Sequence, residues 1–543
     1  MKQDKVQKFV FSGTNMVISL YLCFMLGVFP LLYKYQYASM GDFKYFTFAN
    51  TTLVFVLVLF LLIFAGFLLK LKKEGFAKWK TNLHLDLTLL DKAVLLYFAC
   101  TTMSFLFSSF KEELLWGAEG WNMGYISQVL FVLLYYLISR RWKWKRWILW
   151  VLLASSAVVF MAAVLHRFDV DFLSIYGDLE LKYKVQFLST MGQSSWYSSF
   201  LCTVFPVGLY LFFSLEKGSL RIVSGIYSVL AMCSLVTQNT DSAFLSLFCV
   251  LLVLFYLSFD GEKESGRFYE VLILVFGSFA FTGICQRIFA SRMIPLDDLS
   301  IFMSQGLLSP LVCLVAVVIY LFEKNKDHVC KSKTGETQAT IRLSRNVFWV
   351  VTGVIIAGVF VTILFIVLNS NGFLYTHFGY QNVNNYLHFT DYWGNGRGFA
   401  WRYTFDVYSE MPFLQKWFGV GPDGYSFYAK SVPVLAERMR GFWGNLILTN
   451  AHNEYLTKLV NLGVFGLLAY IFMLGSAVVL FIKNRTENYL LPGFALCIAA
   501  YMAHNIFCYE QVCCSPFFYI LLGLGGNLLH KKPKQNKKWI DNK

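Results

Sequence analysis

Apolar runs of close to twenty residues recur along the whole chain, separated mostly by short polar links. A helix of that length crosses the roughly 30 Å of hydrocarbon in a bilayer. The pattern predicts spans at Met16–Tyr33, Phe48–Leu69, Thr88–Phe107, Met123–Ile138, Trp147–Leu165, Trp196–Phe213 and Leu220–Val236. Further spans follow at Ala243–Leu257, Phe268–Ile284, Leu307–Phe322, Val347–Leu368, Leu462–Ile482, Tyr489–Phe507 and Pro516–Leu529. The fold class is therefore an all-α polytopic integral membrane protein with about 14 transmembrane helices. One interval breaks the rhythm: residues 369–452 stay polar and aromatic between two spans, too aromatic for a disordered linker.

Composition agrees: 57% of the 543 residues are hydrophobic and only 15% charged, against roughly 25% charged in soluble domains. The net charge of +15 would suit a nucleic-acid partner if it were clustered. Instead, 25 of the 47 Lys and Arg fall in Lys2–Lys8, Lys70–Lys80, Arg140–Arg146, Lys324–Arg345 and Lys531–Lys543. Alternating spans put all five segments on one side, the signature of cytoplasmic loops. Both termini are then cytoplasmic, the large loop faces outward, and nucleic acid is not a partner. The basic start runs into a full-length span rather than a cleavable signal. The twelve Cys lie mostly in apolar runs, with a disulfide among Cys508, Cys513 and Cys514 as an option.

Four divisions follow: 1–195 with the N-terminal spans, 196–346 as a central bundle, 347–482 around the large loop, and 483–543 with two spans and a basic tail. Within the loop, Phe399–Glu410 and Tyr425–Arg440 read as short helices. Gly419, Gly421 and Pro422 between them supply the dihedrals of a tight turn.

Four groups of residues can carry chemistry. His452, where the loop re-enters the membrane, is either a base that takes a proton from a hydroxyl or an interfacial residue beside the turn-forming Asn453. On a continuous helix it shares a stripe with Gly463 and Gly466, whose lack of side chains would admit a neighbouring helix. Arg397 and Arg402 offer permanent charges suited to phosphate oxygens, and Trp401, one turn from Arg397, could stack on a sugar. An i,i+4 pair with Asp406 is the plainer role for Arg402. Asp241, in Thr240-Asp241-Ser242, is either a helix cap or part of an outward-facing site. His504, Asn505, Glu510 and Gln511 fit helix–helix hydrogen bonding as well as catalysis. No P-loop, HExxH or GxSxG motif is present, nor an acidic pair with metal-ligand spacing.

Gly396-Arg397 with Trp401, Gly419-Val420-Gly421-Pro422, and His452-Asn453 with Gly463 and Gly466 resemble the O-antigen ligase and polymerase superfamily. Trp116-Gly117 to Gly124 and Met191-Gly192-Gln193 resemble earlier landmarks of that family more weakly. The likeness runs from Leu114 to Gly526, and its specific part is the loop with its flanking spans. It implies a GT-C-like, metal-independent glycosyltransferase of the cell membrane that needs no cofactor. The implied partners are an undecaprenyl diphosphate-linked oligosaccharide, a glycan acceptor, the bilayer and other polysaccharide-assembly proteins. His452 would activate the acceptor and Arg397, with Arg402, would hold the diphosphate. Many members carry Thr-x-Ser-Arg where this chain has Thr240-Asp241-Ser242-Ala243; the missing cation would fall to Arg287 or Arg292.

Three functions follow. A polymerase of surface polysaccharide leads, favoured by a Lys-, Phe- and Tyr-rich composition that suits a cell without lipopolysaccharide. A ligase attaching finished glycan to lipid A core, protein or wall is its sibling. A flippase for lipid-linked glycan is the alternative of another class, disfavoured because two similar halves are expected of it.

Overall fold

A computed structural model describes residues 2–74, 86–333 and 345–530. The chain is an all-α polytopic membrane protein, and each of the fourteen expected spans coincides with a helix. In chain order these are α1 (Lys2–Cys23), α2 (Met40–Glu74), α3 (Leu89–Phe107), α4 (Tyr125–Arg141), α5 (Trp147–Arg167), α6 (Ser194–Ser214) and α7 (Ser219–Leu235). Next come α8 (Ser242–Leu257), α9 (Glu262–Ile288), α10 (Leu308–Lys333) and α11 (Asn346–Ser370). The large loop contributes α12 (Trp393–Glu410), α13 (Phe413–Phe418), α14 (Tyr425–Ser431) and α15 (Pro433–Trp443). The chain re-enters the bundle with α16 (Glu454–Lys483), α17 (Leu491–His504) and α18 (Ser515–Leu529). Among the described residues ten helices are long and apolar enough to cross a membrane, and α7, α17 and α18 are shorter apolar helices. α9 continues through Gly277, because one glycine costs a helix only about 1 kcal/mol.

Burial ranks the helices from centre to edge. α6 buries 89% of its apolar window and α11 none; α17 and α18 are buried almost throughout. α18 packs on α4, α17 on α6 and α8, and α16 on α3. At one end of the bundle Asp260 binds both Arg345 (2.7 Å) and Arg485 (2.6 Å), drawing three interhelical links onto one face. Residues 75–80, 334–344 and 531–543, in three of the basic segments, lie outside the described residues. The described cysteines are all free, so the disulfide left open among Cys508, Cys513 and Cys514 does not form; Cys514 instead meets Ser199 and Thr203.

The large loop sits at the opposite end, called here the loop face, and has a core of its own. Phe399, Tyr403, Val407, Tyr425, Leu435 and Met439 pack together there and reach Val460 of α16. The helix expected over Tyr425–Arg440 is two helices, since Pro433, which cannot donate to the preceding turn, starts a new one.

The glycine stripe is the main correction. Asn453 caps α16, so His452 precedes the helix, and Gly463 breaks it with φ 69° and ψ −173°. Gly419 has φ 83° and ψ 179°. Both lie in a region reserved almost wholly for glycine. The two meet backbone to backbone: Val420 N–H donates to Val460 O (3.1 Å) and Gly421 N–H to Asn461 O (2.9 Å). A Cβ on Gly463 would lie 2.3 Å from the Trp417 carbonyl carbon, and one on Gly466 2.2 Å from Leu462 Cβ. Gly463→Ala is therefore expected to cost about 1–3 kcal/mol in strain alone, read as a lower unfolding temperature in detergent. Gly466→Ala should lower that temperature as well, because Leu462 must shift to admit the new methyl group.

Candidate functional site

His452 sits in a left-handed turn (φ 48°) between the loop and α16. Its N–H donates to Asn450 Oδ1 (3.0 Å). Asn453 Oδ1 accepts the Leu456 N–H (3.1 Å), and Thr457 Oγ1 accepts the Ala451 N–H (3.0 Å). The backbone is thus held on both sides, while the imidazole stands edge-on to Tyr509 with centroids 5.0 Å apart. Among the described residues neither ring nitrogen has a hydrogen-bond partner. Burial, and then the positive charge of Arg397, lower the pKa of His452 to about 4. The ring is neutral through the physiological range and keeps a lone pair for a proton.

The two loop arginines differ in their commitments. Arg397 follows three left-handed residues, Gly394, Asn395 and Gly396, which turn the chain back on itself at the start of α12. Its Nε donates to Phe507 O (3.1 Å) and its Nη1 to Gly394 O (2.8 Å). Those carbonyls orient the guanidinium without neutralising it, and among the described residues it makes no ion pair. Arg402 is half-exposed and pairs with Asp391 (2.9 Å), not with the expected Asp406, which pairs with Arg438. Arg402 also donates to Phe389 O (3.1 Å). The uncommitted charge is on Arg397.

Asp241 precedes α8 but its side chain caps nothing. It accepts instead from the Tyr386 hydroxyl (3.3 Å). Burial and nearby Asp297 raise its pKa, against Tyr386 and Arg397. Of its two expected roles, the structure removes the cap and leaves the outward-facing one. Arg287 donates to Gln305 O (2.6 Å). Among the described residues no hydrogen bond or ion pair joins Arg287 or Arg292 to Asp241, Arg397 or His452. Asn453 is a helix cap, and Trp401 has one face against Phe507, nearly parallel at 17°, with centroids 5.8 Å apart. Its indole N–H is buried without a partner. His504 bonds Ser198 (2.9 Å) inside the bundle.

The link between His452 and Arg397 comes from a stretch that the hydrophobic pattern treated as the end of a span. Residues 505–511 carry the Phe507 carbonyl that holds Arg397 and the Tyr509 ring that backs His452. This strand of chain is fastened to the start of α16. Glu454 N–H donates to Asn505 O (2.9 Å), and Glu454 Oε2 accepts the Glu510 N–H (2.5 Å). Lys458 Nζ bridges Glu510 (2.5 Å) and Glu454 (3.2 Å) and also donates to Tyr97 (3.0 Å). These charges line a small cavity with Asp423, whose carboxylate accepts the N–H of Ala118 (2.8 Å) and Met123 (3.1 Å). Burial raises the Asp423 pKa to about 7 despite those bonds. Of this cluster the sequence singled out Glu510; the i,i+4 spacing of Glu454 and Lys458 within an apolar run is a further signal, and Asp423 and Tyr509 give none.

Residues 299–471 match the protein family described as O-Antigen ligase. Over that stretch the chain is similar to O-antigen ligases. No curated protein matches the chain. The matched stretch contains Arg397 and His452. Residues 505–511, which hold the Arg397 side chain and back the His452 ring, lie beyond the matched stretch.

Proposed function

We propose that this protein is a GT-C-like membrane glycosyltransferase, a polymerase of surface polysaccharide that takes glycan from an undecaprenyl diphosphate carrier. The observation that carries the reading is a neutral His452 whose ring nitrogens are free among the described residues, within the field of an Arg397 that makes no ion pair among them. In this reading the His452 ring takes the proton of the acceptor hydroxyl as its oxygen attacks the anomeric carbon. The bond from that carbon to the diphosphate oxygen breaks, and the leaving pair stays on the diphosphate. Fixed cations where that charge develops supply transition-state stabilisation, which Arg397 provides without a metal or cofactor. Asp241 and Trp401 lie on the sugar side, and Arg402, by leaving Asp391, is a reserve cation. The loop face is the outer face of the cell membrane, as the one-sided basic segments support.

The test is transfer by the full-length protein in nanodiscs supplied with undecaprenyl diphosphate-linked glycan. Release of undecaprenyl diphosphate with growth of the lipid-linked glycan supports a polymerase. Transfer to a lipid A core, protein or wall acceptor would make it the sibling ligase, and movement of the donor without bond cleavage a flippase. Arg397→Ala is expected to lower kcat about 10- to 100-fold, on the order of 1.4–2.7 kcal/mol in the barrier. Arg402→Ala should lower it much less, because Arg402 is already paired. Unchanged kcat in Arg397→Ala would remove the proposed leaving-group contact.

A further inference from the structure

An open groove of about 760 Å³ runs between the loop-face end of α2 and the link Gly117–Asn122. One wall is α2, whose Asp42, Thr47, Asn50 and Thr51 face the groove; the other presents Glu119 and Asn122. Asn50 is exposed although it lies within the 33-residue apolar span Met40–Lys72 of α2. Polar groups on a membrane helix normally face a partner or a polar cavity, so this stripe calls for a polar occupant. Phe43 and Phe46 flank it, one turn from Thr47 and Asn50 respectively.

The link itself is gripped from both sides. Asp42 Oδ1 accepts Gly120 N–H (3.1 Å) and Asn122 Nδ2 (2.9 Å), while Asp423 holds Ala118 and Met123 from the other side. Trp121 of the same link stands edge-on to Tyr509, with centroids 5.0 Å apart, and Tyr509 stands edge-on to His452 at the same spacing. The groove therefore lies a few sugar units from the reacting centre, across one rigid link.

We infer that this groove is a distal subsite for a hydroxyl-rich glycan, the part of donor or acceptor remote from the reacting ends. Carboxylates accept from sugar hydroxyls, side-chain amides both donate and accept, and aromatic rings cover the C–H faces of a sugar. The lining charges are Asp42 and Glu119 against Lys34, one negative in excess. That balance disfavours a diphosphate or an anionic lipid headgroup and suits a neutral or amino-bearing glycan. The inference rests on the transferase reading above.

The experiment uses the full-length protein in nanodiscs with Thr47→Val/Asn50→Leu, which suits a lipid-facing helix, and separately Glu119→Gln. The first measurement is calorimetric binding of lipid-free oligosaccharide, cut from the assay donor and from the acceptor, to His452→Ala protein with and without the groove changes. Both groove variants are expected to bind one of the two oligosaccharides about tenfold more weakly, a loss of about 1.4 kcal/mol. The second varies donor length on a short acceptor, then acceptor length on a short donor. KM is expected to rise about tenfold for the long form of whichever glycan the groove holds, with kcat on short substrates unchanged. Oligosaccharide binding equal in the variants and their parent, or absent from the parent, overturns the subsite whatever KM does. Failure of the unmodified protein to transfer glycan counts against the transferase reading instead, and binding still decides the groove.

Discussion

His452→Ala is expected to lower transfer about 10²- to 10⁴-fold, the usual range for removing a positioned general base, with little change in KM for the donor. The ring makes no hydrogen bond among the described residues, so its loss leaves no buried partner unpaired. A normal unfolding temperature should accompany the lost activity. The pH profile supplies a second check. Burial and Arg397 hold the His452 pKa down to about 4, so the base is neutral above that value and becomes protonated below it. The profile of kcat/KM, which reports the free enzyme, should stay level from neutral pH to about pH 5 and fall below that. Removing the cation with Arg397→Ala should move this acid limb upward, because the imidazolium then loses a repelling neighbour. An acid limb that stays in place in His452→Ala would show that another group is the base.

Lys458→Met is the variant expected to damage the fold most. Lys458 is buried between Glu454 and Glu510. Removing one member of a buried ion pair leaves uncompensated charge and costs about 3–5 kcal/mol. Here it leaves two carboxylates facing each other, so the strand 505–511 should lose its fastening to α16. Arg397 and His452 would then lose their common support, and Lys458 acts as a positioning residue for both. Thermal unfolding in detergent should show a large drop, and kcat should fall further than KM rises. Glu510→Gln/Lys458→Met, which removes one negative charge with the positive one, should recover part of the stability. If the double variant is no more stable than the single one, charge balance is not what holds the strand.

The separate treatment of Arg397 and Arg402 shows where sequence reasoning stops. Both lie in one polar loop, five residues apart, and either can bind phosphate by its chemistry alone. Only the fold shows that Asp391, eleven residues upstream, neutralises Arg402, while Arg397 is held by carbonyl groups. The same holds for Asp241: a residue before a helix reads as a cap, and the observed hydroxyl from Tyr386 comes from 145 residues away. His452 was legible as a polar residue at a membrane boundary, but its place in the helix was not. A continuous apolar run does not reveal that Gly463 takes a backbone conformation closed to other residues.

The chain's hydrophobic periodicity by itself determined the membrane class, the position of every long helix and the single large loop, because crossing hydrocarbon demands about twenty apolar residues in a row. It also determined the candidate base and cation, since few polar residues interrupt such a chain. The tertiary structure alone decided which arginine is left without an ion pair among the described residues, that segment 505–511 joins Arg397 to His452, and that buried Lys458 fastens that segment. These depend on pairings between residues far apart in sequence, and burial, which sets the strength of every such charge, is a property of the folded packing rather than of any local run.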